Sequence, residues 1–295
     1  MPILTAENIS KNYGKIKALK GVIFSVPEGC VFGILGPNGS GKTTLLGIIM
    51  NVLKATGGTY KLFDEAATDA HRKKIGTLLE TPNFYHYLSA VQNLKITAAI
   101  KGHNENDIER VLDIVDLQKR KHSKFSTYSL GMKQRLAIGA ALLGNPDVLV
   151  FDEPTNGLDP VGISEIRTLI KKLSASGKTI IMASHLLDEV EKVCTHVAIL
   201  KQGDLLRTGT VNEVFTQSDI VQLNAADKEK LKSILGALNI YNRIDEVNGI
   251  IELTCKAGVA NLAEINRFCF DKGIVLSHLQ IKKSNIESKF LELTN

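Results

Sequence analysis

Over the first 215 residues, short β-rich runs alternate with stretches whose apolar positions recur at helical spacing. Cys30 to Leu35 precedes a helical pattern from Lys42 to Leu53, and Asp147 to Phe151 precedes another from Val161 to Ser174, the rhythm of a parallel sheet. Further strands are predicted at Ile75 to Leu79, Lys178 to Ala183 and Thr195 to Leu200, the last closing a hairpin through Gln202-Gly203 onto Asp204 to Arg207. The alternating runs Ile3 to Ser10 and Ala18 to Val26 read as antiparallel. Between Ser89 and Leu143 the pattern turns helical, with Ile108, Val111, Leu112 and Val115 on one helix face. A helical insertion over about residues 82–145 is therefore predicted between two strands of the sheet.

Past Phe215 the pattern changes. It reads strand (Ile220 to Leu223), helix (Asp227 to Leu238), two strands around Asn248-Gly249, helix (Val259 to Asp271) and strand (Ile274 to Ile281). Asn-Gly between alternating runs is a strong hairpin signal. This β-α-β-β-α-β order predicts a small ferredoxin-like α+β domain over residues 216–295, closing with a segment, Ile286 to Leu293, of helical character. It holds no carboxylate pair, His cluster or Gly-rich loop, which leaves regulation or dimer support as its role.

Composition narrows the class. The chain has 295 residues, 44% hydrophobic and 23% charged, enough for a packed core and too apolar for disorder. Its apolar stretches fall short of the roughly 18 residues that span a bilayer, and the N-terminus lacks the pattern of a secretory signal, so a cytoplasmic protein is expected. The four cysteines (Cys30, Cys194, Cys255, Cys269) form no CxxC pair and read as buried free thiols. The net charge of +5 lies entirely before Thr216, because the remainder carries ten basic and ten acidic residues. That density suits a protein handling anions and is too thin for a DNA-binding stripe; no nucleic-acid partner is expected. The cluster Lys119-Arg120-Lys121-His122 with Lys124 reads as a solvated loop or as a contact for lipid headgroups or an acidic partner.

The chemistry is concentrated at two stations. Gly36-Pro37-Asn38-Gly39-Ser40-Gly41-Lys42-Thr43-Thr44 fits G-x-x-x-x-G-K-[ST] between an apolar strand and a helix, the context of a phosphate-binding P-loop. The glycines allow backbone N–H groups to approach a triphosphate, and the helix from Lys42 aims its positive end at the anion. Lys42 is placed to bridge the β- and γ-phosphates and Thr43 to offer its hydroxyl to magnesium. The second station is the apolar run Val148 to Phe151 ending in Asp152-Glu153. Asp152 is the expected magnesium partner. Glu153, which strand alternation turns away from its neighbour, is the candidate general base for water attacking the γ-phosphate.

Between these stations, Tyr128-Ser129-Leu130-Gly131-Met132-Lys133-Gln134-Arg135 begins a predicted helix just before the second strand, and here the chain resembles the ATP-binding cassette (ABC) ATPases. Ser129 and Gly131 match the LSGGQ signature of that family, whereas Tyr128, Leu130 and Met132 replace its Leu, first Gly and Gln. Read alone, Ser129 is a helix N-cap. The resemblance implies further roles in chain order: Tyr13 stacking on adenine, Leu158-Asp159 crossing between paired subunits, and His185 touching the γ-phosphate. Taken singly, these are a loop or core tyrosine, a helix cap and a loop histidine. Glu80 stands where the family usually has Gln, near metal and water, and this departure resembles the ATPase subunits of lantibiotic-immunity and bacitracin-resistance exporters.

The resemblance covers residues 1–215 and implies an α/β P-loop NTPase fold with an antiparallel β subdomain and helical insertion. The C-terminal α+β domain is similar to the accessory domain of some exporter ATPases. It further implies ATP and Mg2+ as cofactors and a head-to-tail homodimer closing on two ATP molecules. Separate integral-membrane permease subunits are implied too, reached through the helical lobe around Thr81 to Val91, with the chain peripheral on the inner membrane face. An ABC ATPase acting on DNA or the ribosome is the alternative reading. Chains of that kind commonly carry two cassettes or a long coiled coil, and neither is present here.

Overall fold

The structure is a computed structural model that describes residues 1–80, 83–215, 218–238, 240–256 and 258–283. Two compact units divide at Val214/Phe215.

In the first unit, β1 (Pro2–Tyr13) and β2 (Ile16–Pro27) form the expected antiparallel pair, turning through Gly14 in the left-handed region. Leu4, Ala6 and Ile9 of β1 and Leu19, Val22, Phe24 and Val26 of β2 are buried, so one face of this ribbon supplies core. Next, β3 (Val31–Leu35) leads into α1 (Lys42–Ile49), four residues shorter than predicted because Met50 caps it and Asn51 turns left-handed. β4 (Gly57–Leu62) and β5 (Glu65–Ala66) complete the antiparallel sheet in the order β2-β1-β4-β5. Neither was legible, since β4 opens on two glycines and buries only Leu62 fully.

A short α2 (Asp69–Lys73) precedes β6 (Ile75–Leu78). The helical insertion follows as α3 (Ala90–Lys101), α4 (Ile108–Ile114) and α5 (Leu130–Leu142). Ser89 and Gln92 close a reciprocal capping box that fixes the start of α3. After it come β7 (Val148–Asp152), α6 (Pro160–Ala175), β8 (Thr179–Ser184), α7 (Leu187–Val193), β9 (His196–Lys201), β10 (Asp204–Thr210) and α8 (Val211–Val214). The main sheet has the order β10-β9-β3-β8-β7-β6 and is parallel except for the edge strand β10. β3, β7 and β8 are buried along their whole length, which is why they read as unbroken apolar runs. Their C-terminal ends lie side by side, where open parallel sheets bind ligands.

The second unit runs β11 (Ser218–Ala225), α9 (Lys228–Leu235), β12 (Tyr241–Val247), β13 (Ile250–Lys256), α10 (Leu262–Asp271) and β14 (Leu276–Lys283). Its antiparallel sheet has the ferredoxin-like order β12-β13-β11-β14. Val221, Leu223, Ile251, Leu253 and Cys255 form one buried face with Leu231 and Leu235 of α9 and Ile265 and Cys269 of α10. Asn248 and Gly249 both adopt positive φ in the β12–β13 turn, as the dipeptide signalled. α10 starts three residues later than expected because the Asn261 side chain caps it. The segment Ile286 to Leu293 lies outside the described residues. All four cysteines are free and buried, and among the described residues no helix is long and apolar enough to cross a membrane.

Candidate active site

Three neighbouring strand ends deliver the site. From β3 the chain enters the glycine loop, where Gly39 and Gly41 adopt positive φ (79° and 106°). A Cβ on Gly41 would stand 2.6 Å from the Ala18 carbonyl oxygen, and one on Gly36 would strike the Leu200 carbonyl and the Ser40 hydroxyl. The loop is braced by Gly36 N–H donating to Ser184 O (3.3 Å) and by Gly203 N–H donating to Ser40 O (3.0 Å). This support comes from the β9–β10 turn, which local sequence pattern does not connect to the loop. Its signal was the Gln202-Gly203 pair, both at positive φ. Lys42, 5% exposed, folds back so that Nζ donates to Gly36 O (2.8 Å) and Pro37 O (3.2 Å).

At the end of β7, Asp152 is buried and accepts a hydrogen bond from Thr43, the first link between the two sequence stations. Burial pushes its carboxyl above the ordinary carboxylate range; Glu153 and Glu80 act in the same direction, against Thr43 and the Lys42 charge. Glu153 N–H donates to Ala183 O (3.0 Å), then the residue turns left-handed at φ 48°. Strand alternation is thus not what aims Glu153: a left-handed turn does, in a conformation that costs a non-glycine residue about 1 kcal/mol or more. Its Oε1 lies 3.3 Å from Lys42 Nζ. Its Oε2 lies 2.8 Å from His185 Nδ1 and accepts from His185 N–H at 3.3 Å. Since a carboxylate only accepts, Nδ1 carries the proton toward Glu153 and Nε2 is left facing away from this bond. Lys42, Thr43, Asp152, Glu153 and His185 are therefore brought together. Glu80, exposed and also left-handed at φ 61°, is near enough for its charge to act on Asp152.

The remaining predicted residues form a second cluster. Ser129 is the N-cap of α5, accepting from Met132 N–H at 3.3 Å, and Asp159 is the N-cap of α6, accepting from Gly162 N–H at 2.9 Å. With Leu130, Gly131, Gly157 and Gly162 they line a cavity of about 480 Å³. Ser129 and Asp159 are exposed, as are Leu130 (47%) and Val161 (66%). No hydrogen bond or ion pair among the described residues joins a residue of this cluster directly to Lys42, Glu153 or His185. Tyr13, at the end of β1, is 46% exposed with the Lys11 ammonium 5.0 Å from its ring centre.

The glycine cradle, with its convergent backbone donors and buried lysine, suits a polyphosphate. The orphaned buried Oδ1 of Asp152, with the Thr43 hydroxyl bonded to the same carboxylate, offers oxygen donors suited to a hard divalent cation. Buried carboxylates and hydroxyls without partners are costly, so this donor set fits magnesium better than it fits a structural role.

The chain is similar to known proteins along most of its length. A family model described as ABC transporter matches residues 19–156. The bacitracin transport ATP-binding protein BcrA of Enterococcus faecalis is 34% identical over 99% of this chain and 96% of its own length. The lantibiotic transport ATP-binding protein SrtF of Streptococcus pyogenes is 36% identical over 69% of this chain and 89% of its own. Among solved structures, cbiO1 from Clostridium perfringens, part of the ABC transporter complex cbiONQ, has TM-score 0.67 and 30% identity, covering 80% of this chain and 96% of that one. A dimeric ATP-binding cassette bound to ADP and Pi has TM-score 0.63 and 28% identity, covering 70% and 98%. The chain belongs to the ABC transporter family as an ATP-binding subunit, and the site is that of an ATPase.

Gly41→Ala tests the cradle. Forcing a Cβ into a left-handed residue against the Ala18 carbonyl should cost about 1–3 kcal/mol of stability in chemical denaturation, with a matching loss of nucleotide affinity in titration.

Proposed function

We propose that this chain is the ATPase subunit of an exporter. Two copies close head to tail on two ATP molecules, and the motion passes to separate integral-membrane permease subunits that hold the chain against the inner membrane face. The observation that carries this reading is the division of the predicted residues into two clusters that share no direct bond. One has a lysine, a base and a switch histidine; the other has an exposed signature serine beside an exposed Asp159. Each is half of a reaction centre, and a second copy supplies the missing half.

Within one half, the loop from Gly36 to Thr44, including Pro37, Asn38 and Ser40, grips the phosphates through backbone N–H groups. Lys42 leaves Glu153 to bridge the β- and γ-phosphates, so nucleotide binding frees the Glu153 carboxylate for its work as general base. His185 holds that carboxylate through Nδ1 and presents Nε2 to the γ-phosphate. Thr43 and Asp152, with Glu80 close by, would hold magnesium, which would neutralise charge developing on the phosphate oxygens. Tyr13 stacks on the adenine, and Ser129 and Gly131 of the partner copy donate to the γ-phosphate. Hydrolysis removes the contacts that bridge the copies, and the dimer opens.

Support for an exporter comes from the named relatives, whose printed activities are bacitracin and lantibiotic transport, and from Glu80 at the coupling position. Compared with Gln, Glu cannot donate a hydrogen bond and adds negative charge beside the metal set.

Glu153→Gln is expected to keep ATP bound, lower turnover by about 10²–10⁴-fold, and shift the protein to a dimer with ATP in size-exclusion chromatography. Turnover at the parent rate would remove Glu153 as the base. Glu80→Gln should change the ratio of permease-stimulated to basal hydrolysis; an unchanged ratio makes Glu80 a neutral replacement. Affinity purification from membranes should recover a polytopic membrane protein with the tagged chain, whereas salt-sensitive recovery of ribosomes or DNA would favour the other reading.

A further inference from the structure

We propose that α6 is an ionic relay between the two half-sites of one chain, with Arg135 and Arg167 as its positioning residues. The inference rests on the dimer reading above and deepens it by stating how one nucleotide site senses the other.

The relay can be followed residue by residue. Ser129 caps α5, and Arg135 lies two turns further along the same helix. The Arg135 guanidinium gathers three groups at the end of α4: Asp116 Oδ2 (3.2 Å), Asp116 O (3.1 Å) and Val115 O (3.3 Å). Its Nε lies 3.6 Å from Glu165 Oε2 on α6, the helix that Asp159 caps. Two residues after Glu165, Arg167 reaches the opposite neighbour. Its Nη2 donates to Glu189 Oε1 at 2.5 Å and to Asp188 Oδ2 at 3.1 Å, both on α7. Asp188 is held in turn by Lys192, and α7 begins two residues after His185, whose ring grips Glu153. α6 packs against both α5 and α7. A push on the signature serine therefore has a continuous path of helices and ion pairs to the general base of the same chain.

Two features favour a coupling role over a merely cohesive one. Glu189 is 2% exposed, and an ion pair buried there gives little net stability over an apolar pair of similar size, so its presence calls for another use. The network is also unsaturated: Arg135 Nε, Arg167 Nε and Glu189 Oε2 are buried without a hydrogen-bond partner. Groups left short in this arrangement are free to gain partners in a second one. A second arrangement, adopted when the partner's nucleotide presses on Ser129, is what a two-state relay requires.

The test is ATP hydrolysis by the purified full chain as a function of ATP concentration. Wild-type protein should give a sigmoidal curve with a Hill coefficient above about 1, reflecting two coupled sites. Glu165→Gln, an exposed and mild change, and Arg167→Gln should each bring the coefficient to about 1 and lower kcat roughly tenfold, with half-saturating ATP shifted less than about twofold. Arg167→Gln/Glu189→Gln removes both charges of the pair and should keep thermal stability close to that of the parent without keeping cooperativity. Cooperativity retained in Glu165→Gln and in the double neutral variant overturns the relay alone. Hyperbolic kinetics from a monomeric wild-type enzyme overturn the dimer reading and the relay with it.

Discussion

The Glu153 carboxylate is held from both sides, by Lys42 at 3.3 Å and His185 at 2.8 Å, and this three-way contact organises the first unit. Each partner comes from a different strand end, β3, β7 or β8, and those strands are adjacent in the order β3-β8-β7. No two of the three residues are close in sequence. The parallel sheet is what makes them neighbours, and its fully buried central strands leave little room for their ends to drift. Charge reinforces the arrangement. Asp152 is raised first by burial and then by the charges of Glu153 and Glu80, and a divalent cation at this carboxylate would offset both.

The strands of the main sheet were legible because burial on both faces writes an apolar run that few other structures need. The glycine loop was legible for a different reason: its residues are constrained by close backbone approach, which only glycine tolerates at Gly36 and Gly41. β4 and α7 escaped notice. The first carries glycine where a strand former is expected, and the second, Leu-Asp-Glu-Val-Glu-Lys-Val, places a buried Glu189 inside a charged run that looks solvated. That glutamate is buried only because Arg167, on another helix, meets it. Pairings of this kind are set by tertiary contact and leave no local trace.

The orientation of Glu153 has a different cause from strand alternation. Alternation along a strand turns successive side chains to opposite faces, but β7 ends at Asp152 and the next residue turns left-handed. Its placement is a turn property, maintained by the bond to Ala183 and the grip of His185. Glu80 shares the same left-handed geometry. Two acidic residues in conformations that favour glycine or asparagine place backbone strain just past the ends of β6 and β7, where the charge of Glu80 reaches Asp152.

The brace beneath the glycine loop bears on how quickly nucleotide is captured. Ser184, Gly203 and the Lys42 ammonium already tie the loop into its phosphate-embracing shape, so an arriving ligand meets amides that need no rearrangement. Little configurational entropy is lost at encounter, and association is left to diffusion and to the attraction of an anion for the helix end. On the proposed reading, selectivity among nucleotides falls to the rim, where the ring of Tyr13 is exposed, rather than to the cradle itself.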